Sequence, residues 1–190
     1  MPPVVRYTRD AVLSAAYELV RRDGLSAFNA RSVAQELGSS TQPIFRLFSG
    51  MDELRAGVME MAREKMKEYM LEAVRNSDTP YLTSGFSYVR FAQDEPELFK
   101  SLFIHGEGID VEQMRPVPDE LIGMIQQLGE FTVEQAKTLH GWLWVFTHGL
   151  AVSIATRSLT ICENRLRKVL MGAYEAATLK LRQDIQEGIV

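Results

Sequence analysis

The sequence is short of cysteine and of long apolar segments. Its single cysteine, Cys162, cannot form an intramolecular disulfide, which excludes a small disulfide-stabilised secreted scaffold and fits a reducing compartment. The N-terminal residues MPPVVRYTRD lack the apolar core of a secretory signal. The most apolar stretch, residues 141–155, is shorter than a bilayer requires, so we interpret it as a buried core helix. We therefore expect a cytoplasmic protein with no membrane span.

Motifs for catalysis, metal binding and cofactor binding are also missing. The sequence has no P-loop, nucleophile elbow, dinucleotide fingerprint or HExxH motif. His140 and His148 would lie about 80° apart around a helix, which is a poor start for a metal site. Cys162 has no recognisable catalytic partner, and we expect a buried thiol. These absences predict a protein that is not an enzyme and uses no cofactor or metal.

Basic charge is scarce overall but unevenly placed. The formal net charge is −4, yet residues 1–50 contain six arginines against four acidic residues. The first 50 residues therefore have a net charge of +2 and the remainder −6. This asymmetry favours an anionic partner, such as nucleic acid, at the N-terminal end of the chain.

Hydrophobic periodicity predicts an all-α chain with no strand, repeat or low-complexity tract. The predicted helices cover residues 8–22, 29–37, 40–48, 51–75, a segment through 86–91, a segment after Pro96, and residues 117–128, 132–156 and 162–186. Residues 105–118 contain two glycines and two prolines, which indicates an irregular loop. The predicted N-terminal caps are Asn29, then Ser39 or Ser40, with capping boxes beginning at Thr132 and Thr160.

Two short predicted helices separated by Gly38 have the spacing of a helix-turn-helix. In that motif, the N-terminal residues of the second helix contact base edges. The predicted DNA-binding residues are Asn29, Arg31, Ser39, Ser40, Thr41, Gln42, Pro43, Phe45 and Arg46. Gln42 can pair with adenine, and Arg46 can reach guanine or phosphate. A helical hairpin with a solvated polar end would show the same spacing.

Residues 8–54 resemble the N-terminal domain of tetracycline-repressor-like (TetR-like) transcription regulators. The matching features are AAYELV followed by Gly24, the run from residue 31 to 38, and Phe48 with the DEL of residues 52–54. The resemblance implies a three-helix DNA-binding domain, for which we predict residues 1–52, and a helical effector-binding and dimerisation domain over residues 53–190.

Three positions depart from the family pattern. The family commonly has a tyrosine at the position of Phe45, a histidine or tyrosine at that of Leu47, and a lysine at that of Met51. In the family, the residues at these positions often touch phosphate. The resemblance therefore implies that phosphate anchoring comes from other residues. The candidates are Arg6, Arg9, Asn29, Arg31, Ser40, Thr41 and Arg46.

The body of the chain resembles the family's ligand domain through residues 91–103 and through WVFTHGL at residues 144–150. The resemblance implies a homodimer through the last two helices, with small residues at 149, 151, 153 and 155 permitting close approach. Aromatic residues with a few polar groups can line a cavity for a small apolar or aromatic effector. The predicted ligand-binding residues are Tyr88, Phe91, Phe99, Phe103, Trp144 and His148.

We expect a homodimeric repressor that a small effector releases from a palindromic DNA operator. One alternative keeps the DNA-binding domain but assigns the body an architectural or activating role without an effector. Another is a helical enzyme or lipid-binding protein whose helix-turn-helix is incidental. An open aromatic cavity favours the first hypothesis over the second. Substitution of Gln42 or Arg46 separates both from the third, because it should abolish sequence-specific DNA binding and leave the fold intact.

Overall fold

The computed structural model describes residues 7–75, 77–105 and 119–189. Within these ranges the chain is helical and contains no strand, which confirms the predicted all-α class. The helices are α1 Arg9–Asp23, α2 Ala30–Glu36, α3 Gln42–Leu47, α4 Met51–Arg75, α5 Pro80–Asp94, α6 Pro96–Phe103, α7 Asp119–Gly129, α8 Val133–Ala155 and α9 Glu163–Gln186. A 3-10 turn, Leu25–Ala27, follows α1. Most of the predicted loop at 105–118, and Arg6, lie outside the described residues.

The chain divides into two compact units. The first consists of Met1–Met66 and Glu95–Gly108, and therefore contains α1–α3, the beginning of α4, and α6. The second consists of Lys67–Asp94 and Ile109–Val190, which adds the rest of α4 to α5, α7, α8 and α9. The domain boundary predicted between residues 52 and 53 stays a prediction.

The first unit is built around α1, which contacts α2, α3 and α6. Thr8 begins α1 by accepting a hydrogen bond from the amide of Ala11 at 3.1 Å. Val12 and Ala16 are fully buried along one face, as the spacing predicts. Gly24 ends the helix with a φ of 80°, a left-handed conformation that glycine adopts without the strain other residues incur.

The two helices of the helix-turn-helix depend on tertiary packing, because each is too short to be stable alone. Asn29 caps α2 by accepting hydrogen bonds from the amides of Arg31 and Ser32, as predicted. Gly38, with a φ of 66°, allows the turn that follows. The helix α3 has six residues, and its Ile44 is completely buried. Phe48, the residue that follows the last residue of α3, is 3% exposed. These anchors hold the short helix to the unit.

The cap of α3 differs from the prediction. Thr41, not Ser39 or Ser40, occupies the cap position, and no side chain caps this helix. The Ser39 hydroxyl instead donates a hydrogen bond to the Ser40 carbonyl at 2.8 Å. A capping side chain normally accepts from the second or third amide of a helix. Here Pro43 has no amide proton and the Ile44 amide already bonds to the Thr41 carbonyl, so no such donor remains.

The second unit has α8 packed against α5, α7 and α9. Its core cluster consists of Tyr81, Ile122, Ile125, Phe131, Ala136, Leu139, Leu143 and Leu181. The capping box predicted at the start of α8 is confirmed, because Thr132 and Gln135 exchange hydrogen bonds between side chain and backbone. No helix in the described ranges combines the length and apolarity needed to cross a membrane.

The start of α9 corrects two predictions. The capping box expected from Thr160 does not form, and the helix begins at Glu163 with Cys162 in the cap position. Cys162 is also exposed, whereas a buried thiol was predicted. Thr160 lies two residues before the cap position, so its side chain is not placed to cap the helix, and Cys162 precedes the first packed residue of α9, the buried Leu166.

Candidate nucleic-acid interface and effector site

The helix-turn-helix presents polar side chains, most of them on α3 or just before it, that make no polar contact with the rest of the described chain. The side chains of Arg31, Ser40, Thr41, Gln42 and Arg46 make no hydrogen bond or ion pair with any described residue. Gln42 and Arg46 are exposed. Such groups are available to an external hydrogen-bonding partner at no internal cost. The same helix exposes Phe45, 56% of which is accessible, so an aromatic ring lies beside the polar groups.

The neighbouring arginines are, in contrast, occupied by carboxylates. Arg21 forms a bidentate pair with Glu95, at 2.7 and 2.6 Å. Arg22 bonds to both Glu36 and Asp23. Hydrogen bonds to these carboxylates raise the pKa of both arginines. These two charges are therefore committed within the protein.

Arg9, a predicted phosphate contact, is also committed. Its guanidinium lies over the Phe48 ring, 4.1 Å from the centroid. Nη1 donates to the carbonyl oxygen of Leu47 at 2.8 Å, and Nη2 donates to Glu53 Oε1 at 2.6 Å. The phosphate-contact role predicted for Arg9 stays a prediction, and the side chain already has anionic, carbonyl and aromatic partners within the protein. Among residues 7–50, the arginines left without such a partner are Arg31 and Arg46.

Glu53 completes this set of contacts at the start of α4. Its Oε2 accepts hydrogen bonds from the Ser49 amide at 2.6 Å and from the Ser49 hydroxyl at 2.8 Å. These two bonds, followed by the bond from Arg9, lower the pKa of Glu53 to about 2. Sequence reasoning missed this role, because Arg9 and Glu53 are separated by 44 positions and neither stands out locally.

Two predicted DNA-binding residues have internal partners. The side chain of Asn29 caps α2 through its oxygen and donates from its nitrogen to the Ala27 carbonyl at 3.2 Å. The Ser39 hydroxyl has the partner described above and retains its acceptor capacity. Tyr7 was not predicted, yet its hydroxyl donates to the Gly38 carbonyl at 3.2 Å and ties the start of the described chain to the turn of the helix-turn-helix.

In the second unit, three predicted ligand-binding residues come together. The Tyr88 hydroxyl shares a hydrogen bond of 2.9 Å with Nδ1 of His148, and Trp144 stacks on that imidazole at a centroid distance of 4.6 Å. Tyr81 and His140 form an equivalent pair at 3.1 Å along the same two helices. Burial raises the pKa of both tyrosines and lowers the pKa of both histidines, so both pairs are held as neutral groups.

The other three predicted ligand-binding residues have aromatic contacts of their own. Phe91 is completely buried and contacts Tyr69 edge to face at 5.5 Å. Phe99 and Phe103 belong to the first unit, where their rings pack 4.8 Å apart. The structure therefore assembles Tyr88, Trp144 and His148 but does not gather all six predicted residues into one unit.

A cavity of about 180 Å³ opens on the second unit between α5 and the start of α9. It is lined by Phe86, Arg90, Gln93, Asp94, Ile161, Cys162, Glu163 and Leu166, which include none of the predicted ligand-binding residues. Small-molecule sites usually measure ~300–1,000 Å³ and are mostly apolar.

Within the described residues, no group of three or more His, Cys, Asp or Glu side chains is arranged to hold a metal ion.

Comparisons with known proteins identify the fold. No family model matches the sequence, and neither does any curated protein. Among solved structures, a TetR family transcription regulator from Marinobacter aquaeolei VT8 superposes with a TM-score of 0.64 at 17% identity, covering 88% of this chain and 94% of that one. A TetR family protein from Vibrio parahaemolyticus gives 0.62 at 17% identity, with 88% and 97% covered. A TetR family member from Streptomyces coelicolor A3 gives 0.59 at 18%, with 87% and 96% covered. The chain shares the fold of these proteins along most of its length.

Proposed function

We propose that this protein is a TetR-type, sequence-specific DNA-binding transcription regulator that reads DNA with α3. One observation supports this most directly: the side chains of residues 40–42 and of Arg46 have no partner among the described residues, whereas Arg9, Arg21 and Arg22 do. A helical hairpin with a solvated polar end gives no reason for some arginines to be paired with carboxylates while the polar side chains of α3 are left unpaired. The shared fold with TetR family structures supports the same function.

The chemistry of the available groups fits a major groove. The Gln42 amide can bond with both the N6 and the N7 atoms of adenine, and the Arg46 guanidinium can take guanine or a phosphate. The exposed Phe45 ring supplies an apolar surface for a thymine methyl group. Ser40 and Thr41 hydroxyls suit phosphate oxygens and fix the register on the duplex.

A homodimer through α8 and α9 forms part of the proposal. Residues 138–156 contain no charged side chain, yet α8 exposes Trp142, Val145 and Phe146, the second of them 66% accessible. Gly141 and Gly149 lie in α8 with open space at the position of a side chain. On α9, Leu179 is 72% exposed. Apolar surface of this extent on a pair of long helices supports a second copy as its cover.

The small residues predicted to line this contact divide into two groups. Ala151 and Ala155 are buried inside the protomer, at 0% and 2% exposure, and therefore do not face outwards. Gly149 is exposed and Ser153 half-buried. A twofold dimer places two copies of α3 on one duplex, so we propose a palindromic operator whose half-sites are about 34–36 Å apart or a multiple of that distance.

Regulation by a small apolar or aromatic effector is proposed from the group formed by Tyr88, Trp144 and His148. The half-buried indole and imidazole offer an aromatic surface with one polar handle. An effector that binds one conformation preferentially shifts the population away from DNA-competent molecules, and such coupling is typically ~1–3 kcal/mol. We propose repression as the outcome of DNA binding.

The filled aromatic packing supports a second candidate, an architectural or activating DNA-binding protein without an effector. Phe91 is completely buried, and the Tyr88 and His148 polar atoms already bond to each other. A screen of small aromatic compounds for release of bound DNA separates the two candidates. Release by any class of compound supports the first, and unchanged DNA binding across the screen supports the second.

Selection of bound duplexes from a random pool tests the proposed function. The unchanged protein should enrich a palindrome with the half-site spacing given above. The Gln42→Ala variant should lose a base preference in each half-site, and Arg46→Met should lose either a base preference or affinity for every duplex. Both variants should keep their fold. Gln93→Ala, at an exposed glutamine of α5, should select the same palindrome with the same affinity. A pool with no enriched sequence would contradict the proposal, and so would unchanged selection by both α3 variants.

A further inference from the structure

The network formed by Arg9, Leu47, Phe48, Ser49 and Glu53 joins the ends of three helices. Arg9 is the first residue of α1, Leu47 the last of α3, and Glu53 lies in the first turn of α4. The Leu47 carbonyl is one of those that an α-helix leaves unpaired at its C-terminus, and Arg9 Nη1 donates to it at 2.8 Å. The network therefore holds the C-terminal end of the proposed DNA-reading helix.

The same network fixes the chain between α3 and α4. One carboxylate oxygen of Glu53 accepts from Arg9, and the other accepts from both the amide and the hydroxyl of Ser49. The Arg9 guanidinium also covers the Phe48 ring at 4.1 Å. Three consecutive residues at the end of α3 are thus bound through two ionised side chains, and charge-assisted hydrogen bonds are stronger than neutral ones.

The need for such a network follows from the weakness of α3 itself. The helix has six residues, no side-chain cap at its N-terminus and a proline in its first turn. A helix this short has no stable orientation of its own. The buried Ile44 fixes one point, and the buried Phe48 with the network around it supplies the second, which sets the direction in which Gln42 and Arg46 project.

We infer that Arg9 and Glu53 are positioning residues for DNA reading: they set the orientation of α3 without touching the duplex. The inference rests on the proposed function. It also predicts a change in DNA affinity that is opposite in direction to the one that simple electrostatics predicts. Glu53 is an anion on a surface that approaches phosphates, so its neutralisation alone should strengthen DNA binding. If Glu53 positions α3, its neutralisation should weaken DNA binding.

The test is a set of variants titrated with the selected duplex over a range of salt concentrations. Glu53→Gln, Arg9→Met and the double variant should each bind about tenfold more weakly, the size of one forfeited base contact. The double variant should be no weaker than either single variant, because all three remove the same network. Glu60→Gln and Arg63→Met, which break an exposed ion pair elsewhere on α4, serve as matched controls and should bind like the unchanged protein.

The salt dependence separates positioning from direct contact. A positioning residue leaves the slope of log affinity against log salt unchanged, whereas an Arg9–phosphate contact would lower it by about 0.9 per protomer when Arg9 is replaced. Arg9→Lys keeps the charge and can still pair with Glu53, but it cannot also reach the Leu47 carbonyl in the same geometry. Its affinity should fall between those of the unchanged protein and Arg9→Met.

Several results would overturn the inference. Tighter or unchanged binding by Glu53→Gln would do so, as would additive losses in the double variant or a reduced slope for Arg9→Met. If Arg9→Met does not fold, Arg9→Lys and Glu53→Gln still decide the matter. Failure of the unchanged protein to bind any duplex would overturn the proposed function and this inference with it. Binding by the unchanged protein with unaffected Glu53→Gln would overturn the inference alone.

Discussion

Replacement of Arg46 with methionine separates a DNA-contacting residue from a structural one. Arg46 is exposed in the last turn of α3, and its side chain has no partner among the described residues. Its replacement should therefore change the free energy of unfolding by no more than about 0.5 kcal/mol. Methionine keeps an unbranched side chain and good helix propensity, so the change isolates the guanidinium.

The expected effect on DNA binding follows from the count of available cations. Among residues 7–50, Arg31 and Arg46 are the arginines without a partner among the described residues, which gives four guanidiniums in the proposed dimer. If all four meet phosphates, they account for a log–log salt slope of about −3.6, and the Arg46→Met dimer should retain about −1.8. If Arg46 instead reads guanine, the slope should change little and discrimination at one base pair of each half-site should fall by ~1–3 kcal/mol.

Fluorescence anisotropy titrations of the selected duplex at several salt concentrations measure both quantities. Arg63→Met is the matched control, because it removes an exposed arginine of the same unit that pairs with Glu60. The control should leave slope and specificity unchanged. Arg46→Met with unaltered affinity, slope and specificity would refute the reasoning. A marked loss of thermal stability would also refute it, since it would show an internal role for the side chain.

Four further outcomes are expected. Met51→Lys should steepen the salt slope by about 0.9 per protomer and tighten DNA binding generally, as anisotropy titration would show; an unchanged slope would exclude a phosphate role at this position. Arg21→Met should cost ~1–3 kcal/mol in urea unfolding, because it leaves the Glu95 side chain, 6% exposed, without its partner, whereas Arg21 itself is 43% exposed. The melting-temperature difference between the unchanged protein and Glu53→Gln should be full above pH 4.5 and vanish as pH falls towards about 2, because the lowered pKa of Glu53 makes its stabilisation a property of the ionised form. Burial lowers the pKa of His140 below 6.5, so stability should decline as pH falls below that value, and His140→Gln should flatten this decline in thermal melts at pH 5–7.

Local signals predicted much of the fold. The caps at Asn29 and Thr132 depend on residues within four positions of each other, and the structure contains them. The cap of α3 could not be predicted in the same way, because the proline that marks the helix start also removes the donor that a capping hydroxyl would satisfy. A pattern of residue types shows that Pro43 favours a helix start, but it does not show that the same proline leaves the capping hydroxyl without a donor.

Contacts between distant residues account for what was missed. The bond between Arg9 and Glu53 spans 44 positions, and that between Tyr7 and Gly38 spans 31. Composition gave six arginines in residues 1–50 but could not show which of them carboxylates already occupy. The same limit applied to the aromatic residues. The periodic spacing of apolar residues along a helix does not reveal that Phe99 belongs to the first unit and Tyr88 to the second.

DNA reading by α3 requires that its polar side chains remain available until a duplex binds them. Nuclear magnetic resonance of the Gln42 side-chain amide, recorded while the selected duplex is added, measures this directly. Both amide protons of Gln42 should shift and become protected from exchange in the complex, while the resonances of the Gln93 side-chain amide should not move. Saturated DNA binding with an unshifted, unprotected Gln42 amide would contradict DNA reading by α3.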